Sequence, residues 1–439
     1  MSAPESIYLD HNATTPLAAE VREAMEPFFH GRFGNASCKH ALGKDARAAI
    51  EESRAVVADY FGCAKDEVVF TGGGTEANNL AIKGAALARR DRGRHLVISG
   101  VEHPSVTLSA RFLESLGFEV SVAAASPTGQ ITAEAVASVM RKDTQLVSIV
   151  HANNEVGTVN RLDEIAAVVR GKRIAFHSDT IQTAGKIPTA YPFLGVDLLS
   201  VAAHKLYGPK GVGCLIVGRG MKLEPLLHGA GHEAGRRSGT ENTAGIVGFA
   251  AALKLARRHM VEAGERIVAL RDLLHLRLAE SLGGLVLNGA LLDRLPNTLN
   301  LSFLGVSGAE LAARLEGVTI ATGPACHDRS SAPSPTFQAM GLGPERASSS
   351  LRISLGRGTT LPEIERVAED LIDAVSALRA GKPADSDQKK PSERPRCPRC
   401  ERSLRLEAIR SIAAIVCQAH PACRYEVALS EPTASSLAD

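Results

Sequence analysis

Short apolar runs separated by amphipathic stretches mark the first half of the chain: Leu96 to Ser99, Val120 to Ala123, Gln145 to Val150, Arg173 to Phe176, Val196 to Val201 and Val212 to Val217. Runs of this kind read as strands buried on both faces. Their alternation with helical stretches predicts a largely parallel, helix-covered sheet. From Thr243 to about Leu282 the apolar spacing turns helical and carries the chain out of that sheet. Beyond it, Thr298 to Phe303, Val318 to Ala321 and Leu351 to Ser354 predict strands. Segments near Ala309 and from Pro362 to Leu378 predict helices, so a smaller α+β unit follows. A site between the two units is expected. After Arg379 the pattern stops, and Ala380 to Pro395 offers almost nothing to bury, which predicts a flexible linker.

A chain of 439 residues suffices for two or three domains and a substantial core. A net charge of +2 gives no large field, which argues against nucleic acid or an anionic membrane as the main partner. No apolar stretch reaches spanning length, and Met1 to Ser6 lacks a basic region followed by a hydrophobic one, so a cytosolic protein is expected. Of the 8 cysteines, Cys397, Cys400, Cys417 and Cys423 crowd the C-terminus while the others are scattered. That spacing is not the framework of a disulfide-rich secreted domain.

The candidate chemistry begins at Lys205, which follows the strand-like Val196 to Val201 and opens the glycine-rich Leu206 to Gly211. A lysine desolvated at a strand end can form an imine with a carbonyl cofactor, and pyridoxal phosphate (PLP) is the candidate. Three other segments fit that cofactor. Val68 to Phe70 followed by Thr71 to Asn79 reads as strand, glycine turn and helix start, suited to a phosphate. Asp179, placed after a strand-like Arg173 to Ala175, would pair with a pyridinium nitrogen and make the ring an electron sink. His103, after the strand His95 to Ser99, offers an imidazole to lie on the ring or move protons. Two further residues bear on which reaction follows. Cys326 opens a polar Ser/Pro-rich segment and could ride on a loop as a nucleophile, its alternative role being a small apolar filler. Arg352, in a strand-like run, could grip a carboxylate with two parallel hydrogen bonds, its alternative role being a surface ion pair.

Tyr8 to Pro16, Thr71 to Asn79, Glu102 to Ser105, His151 to Gly157, Ser178 to Gln182, His204 to Gly211, Arg237 to Thr240 and Arg352 to Arg357 together resemble the cysteine desulfurases and selenocysteine lyases, class V enzymes of PLP fold-type I. The resemblance runs in order from about residue 7 to 378. It implies an N-terminal segment 1–16 belonging to the small domain, a large PLP-binding domain 17–255 and a small domain 256–379; outside the resemblance, composition and cysteine spacing give a linker 380–395 and a zinc-ribbon-like module 396–428. It also implies roles: Lys205 holds PLP, Asp179 pairs with the ring nitrogen, Gln182 approaches the phenolic oxygen and His103 stacks on the ring. Gly74, Thr75 and His204 bind phosphate, Thr240 reaches across from a second subunit of a homodimer, and Asn154 and Arg352 fix the substrate. Cys326, aided by His327 or His103, takes sulfur or selenium as a persulfide or selenopersulfide and alanine is released. L-cysteine is the leading substrate and L-selenocysteine the alternative, because Ala325 to Asp328 with Pro333 to Pro335 looks more like the loop of the lyases. An acceptor protein would then receive the mobilised atom. One departure stands out: Ala202 occupies a position where the family often has serine. Remoter readings are a class V aminotransferase, which has no use for Cys326, and a non-catalytic scaffold.

In the tail, Cys397 and Cys400 form a tight knuckle, with Cys417, His420 and Cys423 about twenty residues on, resembling a zinc ribbon. Zinc would use Cys397, Cys400 and Cys417 with Cys423 or His420; unligated or redox-active thiols are the alternative. Arg396, Arg399, Arg402 and Arg405 make the module basic, so RNA or an acidic carrier could dock there.

Overall fold

The computed structural model describes residues 6–322, 333–380, 391–409, 412–418, 423 and 425–428. After the short strand β1 (Ile7–Tyr8), the larger lobe holds β2 (Val68–Thr71), β3 (His95–Ser99), β4 (Glu119–Ala123), β5 (Thr144–Ser148), β6 (Ala175–Asp179), β7 (Leu198–Ala202) and β8 (Gly213–Val217). These form one sheet in the order β2-β8-β7-β6-β5-β3-β4. Only β8 runs against its neighbours; β7, β6, β5, β3 and β4 are parallel. All seven apart from β4 are buried along their whole length, which is why they read as continuous apolar runs. Two apolar layers cover the sheet, one including Val57, Phe61, Val147, Phe176 and Phe249, the other Leu80, Leu96, Leu113 and Leu146.

The helix Thr243–Ser281 leads into the smaller lobe. There β9 (Leu285–Leu287), β10 (Thr298–Phe303), β12 (Ala321–Thr322) and β13 (Ser350–Ser354) form an antiparallel sheet ordered β12-β13-β10-β9, while β11 (Val318–Thr319) pairs in parallel with β1. Ile7 and Leu9 lie in the apolar cluster of this lobe, so the first residues cross over to it. A third unit, β14 (Leu404–Ile409), β15 (Ile412–Cys417) and β16 (Glu426–Ala428), is an antiparallel meander.

Two sequence expectations need correction. Asp179 does not follow its strand but ends it, because β6 starts at Ala175 and Arg173, at φ 57°, belongs to the preceding turn. Residues 391–395 are not a loose linker: the Glu393 N–H donates to the Leu285 carbonyl at 3.3 Å, and the Leu285 N–H to Ser392 Oγ at 3.2 Å. Sequence composition missed this attachment because the ties are polar, from backbone, hydroxyl and charged side-chain groups, rather than apolar. Residues 381–390 lie outside the described residues.

Candidate active site

Parallel strands deliver their C-terminal ends to one edge of a sheet, where ligands of open α/β folds bind. Here that edge collects the residues singled out above. β2 ends at Thr71, and the turn passes through Gly73 at φ 143°, a conformation suited to glycine, into a helical run that starts at Gly74. A Cβ on Gly74 would stand 2.2 Å from Ile181 Cδ1 and 3.4 Å from Ala202 Cβ, so glycine lets this helix start sit directly against the ends of β6 and β7. Thr75 follows in its first turn, where backbone N–H groups lack intrahelical acceptors.

After β3, His103 caps the helix Pro104–Glu114, its Nδ1 accepting the Ser105 N–H at 3.1 Å. That bond fixes the neutral ring with its proton on Nε2. Burial lowers the His103 pKa, opposed by the charge of Asp179 and aided by Lys205. The buried Asp179 accepts from the Ile181 N–H at 2.9 Å and from Asn78 Nδ2 at 2.7 Å. Burial raises its pKa, while these two bonds and the charges of His103 and Lys205 oppose the rise.

Beyond β7, a tight 3-10 turn, Ala203–Lys205, carries the lysine. Lys205 Nζ donates to the carbonyls of Asn12 and Ala13, each at 2.6 Å. Burial, then the nearby Arg352 charge, lower its pKa to about 8. A fair fraction of neutral, nucleophilic amine therefore exists near neutrality. His204 meets Thr14 Oγ1 at 3.1 Å through Nδ1, and burial lowers its pKa to about 4, so it is a neutral ring.

Gln182 donates from Nε2 to the Asn12 carbonyl at 2.9 Å and accepts at Oε1 from Lys186 Nζ at 2.9 Å. Lys186 also donates to Asn12 Oδ1 at 3.0 Å. Asn12 thus ties Lys205, Gln182 and Lys186 together, a role the sequence reading missed although Asn12 lay inside a motif it quoted. It also missed Asn78, the side-chain partner of Asp179, and Glu102. The Glu102 carboxyl is buried, raised to about 8 chiefly by desolvation, and accepts the Val150 N–H at 2.7 Å.

Arg352 departs from expectation. Its Nη2 already donates to Asp10 Oδ1 at 2.6 Å and its Nη1 to the Asn154 carbonyl at 3.2 Å, while Nε is buried without a partner. An incoming carboxylate would have to share the guanidinium with Asp10 or displace it. Asn154 therefore meets Arg352 through its backbone. Thr240 is exposed on the loop before the long helix. Cys326 and His327 lie outside the described residues, as does His420.

The donor set fits PLP: a partly neutral lysine for the aldehyde, a buried carboxylate for the ring nitrogen, and a glycine-turned helix start beside a neutral histidine for the phosphate. Away from this cleft, the sulfurs of Cys397, Cys400, Cys417 and Cys423 lie within 4.8 Å of one another. No helix among the described residues is long and apolar enough to cross a membrane.

Comparison with known proteins agrees with this geometry. Residues 7–367 match the aminotransferase class-V family. A cysteine desulfurase IscS of Dictyoglomus turgidum is 43% identical over 385 residues, covering 87% of this chain and 98% of its own. A putative cysteine desulfurase IscS 1 of Bacillus subtilis is 41% identical, covering 85% and 100%. Among solved structures, a NifS-like protein superposes with a TM-score of 0.80 at 34% identity, covering 85% of this chain and 100% of that one. SspA in complex with cysteine gives 0.70 at 34% identity, covering 80% and 99%. With its lysine, carboxylate and glycine turn gathered at one sheet edge, the chain belongs to the class-V aminotransferase family of PLP-dependent enzymes, in the cysteine desulfurase group.

Proposed function

We propose that the protein removes sulfur from L-cysteine, giving L-alanine and a persulfide on Cys326. The observation that carries this reading is the convergence at one sheet edge of the buried Asp179, the half-buried Lys205 and the more exposed His103, whose charges act on one another. Lys205 would hold the cofactor, Asp179 its ring nitrogen, Gln182 its phenolic oxygen and His103 its ring, with Gly74, Thr75 and His204 at the phosphate. When bound, PLP withdraws electrons from the substrate Cα through its protonated ring. Lys205 Nζ, neutral once freed, accepts the Cα proton and returns a proton to the product. Arg352 and Asn154 orient the substrate carboxylate. The Cys326 thiolate attacks the substrate sulfur; the new S–S bond forms as the carbon–sulfur bond breaks, and the electron pair left on carbon takes up a proton. Enzyme thiol and cysteine become enzyme persulfide and alanine, with no external oxidant. His327 or His103 would favour the thiolate.

Thr240 would complete the phosphate site of a partner subunit in a homodimer, and an acceptor protein would take the persulfide sulfur. That relatives are named cysteine desulfurases supports cysteine rather than selenocysteine as the substrate proposed here. We also assign a zinc ion to the C-terminal thiols, apart from this chemistry.

Borohydride reduction and peptide mapping test the cofactor link: a pyridoxyl group on Lys205 is expected, and an unmodified Lys205 in active protein overturns the reading. Cys326→Ala should bind PLP and cysteine yet release no sulfide. Alanine formation measured from cysteine and selenocysteine side by side decides the substrate, and activity with selenocysteine alone overturns the choice made here.

A further inference from the structure

We infer that the four-thiol site at Cys397, Cys400, Cys417 and Cys423 is a metal clasp built into the small lobe: one tetrahedral, thiolate-bound zinc-class ion holds the C-terminal meander down over the long helix. This rests on the zinc assignment and extends it from an appendage to a part of the enzyme's architecture.

The geometry of the sulfurs comes first. Cys397 and Cys423 Sγ atoms are 3.6 Å apart and those of Cys400 and Cys417 3.3 Å, and all four fall within 4.8 Å. A disulfide needs about 2.05 Å. Four thiolates around zinc at about 2.3 Å would stand about 3.8 Å apart, which is the spacing scale observed. The knuckle is also shaped for a bound anion: the Arg399 N–H points to Cys397 Sγ at 3.4 Å, and the turn closes through the Cys397 N–H to the Arg402 carbonyl at 2.7 Å.

The second observation is where the ligands sit. Cys397 and Cys417 are fully buried, and with Leu404 and Ile415 they belong to the apolar cluster that holds Leu285, Leu287, Leu299 and Leu351 of the small lobe. Besides the Ser392 and Glu393 ties to Leu285, Glu393 Oε2 accepts the Leu287 N–H at 3.2 Å, and Arg394 approaches Glu280 at 3.8 Å.

A third observation concerns the helix underneath. A helix at a lobe surface normally keeps one polar face in water. Between Ile267 and Leu278, however, only Val268 and Arg277 escape burial, and the buried set includes Arg271, Asp272 and His275. Asp272 Oδ1 accepts from Arg271 Nε at 2.8 Å and from Arg294 Nη2 at 3.0 Å. Polar groups of this kind are costly to bury, and something must keep water off them. The tail reaches this face: Asp272 and Arg271 act electrostatically on Tyr425 and the Glu393 backbone on His275, while the lobe itself contributes the Leu295 carbonyl, which accepts from Arg271 Nη1 at 2.9 Å. The meander is too small to form a core of its own, so an ion that fixes its two halves supplies what apolar burial lacks.

The test uses the full-length, PLP-loaded enzyme. Elemental analysis should find about one zinc per chain. Zinc is then stripped with a thiol reagent and restored, while hydrogen exchange is followed in peptides spanning 265–290 and the cofactor absorbance is recorded. Exchange there should accelerate at least tenfold on stripping and recover on zinc addition, and Cys400→Ser should behave as the stripped protein, while Cys38→Ser does not. Zinc-free protein with four freely reactive C-terminal thiols overturns the metal assignment. Stoichiometric zinc whose removal leaves exchange at 265–290 unchanged overturns the clasp and leaves the zinc site standing.

Discussion

The Lys205 amine sits between two demands. It must stay buried enough to be partly neutral, yet its hydrogens need acceptors, which the Asn12 and Ala13 carbonyls supply. Because its pKa falls from the ordinary 10.5 to about 8, the neutral form grows as pH rises through 8. Capture of PLP by apoprotein should therefore speed up about fivefold from pH 7 to 8 and level off above 9, whereas an unperturbed lysine would keep gaining to beyond pH 10. Stopped-flow absorbance over that range checks it. The Asp179 carboxylate depends on a neighbour in the same way. Asn78→Ala removes its 2.7 Å bond and should weaken PLP affinity about tenfold, the value of one buried charge-assisted hydrogen bond. Fluorescence titration with PLP reads this directly, and an unchanged affinity would mean that Ile181 alone holds the carboxylate.

Strand ends carry the site, so the register between strands sets its geometry. Gly213 opens β8 opposite Ala202 of β7 and Thr71 of β2. A Cβ there would lie 2.4 Å from the Val201 carbonyl oxygen and 3.1 Å from Gly73 Cα, both backbone atoms that cannot swing aside. Gly213→Ala should cost about 1–3 kcal/mol in urea unfolding and loosen PLP retention as well, since the displaced turn is the one leading into Gly74. β6 is fixed from within: His177 meets Ser148 Oγ at 2.8 Å and Ser200 Oγ at 2.9 Å, bridging three adjacent strands two residues before Asp179. Burial lowers its pKa to about 3, so it is a neutral part of the core. Strands such as Leu96 to Ser99 were legible as apolar runs, but β9 and the C-terminal meander were not. β9 is short, and Leu404, Ile415 and Cys417 of the meander gain their burial from the small lobe's apolar cluster rather than from their own pattern.

At the scale of the whole molecule, the chain returns to itself three times. β1 pairs with β11, the long helix joins the lobes, and the tail closes over that helix. Thr240 is exposed on the single chain, and the homodimer proposed above puts it in a neighbour's site. Light scattering should give twice the chain mass, and Thr240→Ala should shorten PLP retention without unfolding either lobe; a fully active monomer would remove the partner's role.

Local signals that need no partner were decided by sequence alone: strands buried on both faces, the glycine turn before Gly74, the lysine just beyond a strand end, and the knuckle spacing of Cys397 and Cys400. Tertiary structure decided everything that depends on which groups meet across long separations. It gave Arg352 to Asp10, Asn12 to Lys205, and Asn78 to Asp179, and it drew four cysteines and a polar helix face into one small lobe. Periodicity records how each segment meets its own surroundings, whereas a hydrogen bond or a shared core between distant segments exists only once the backbone has folded them together.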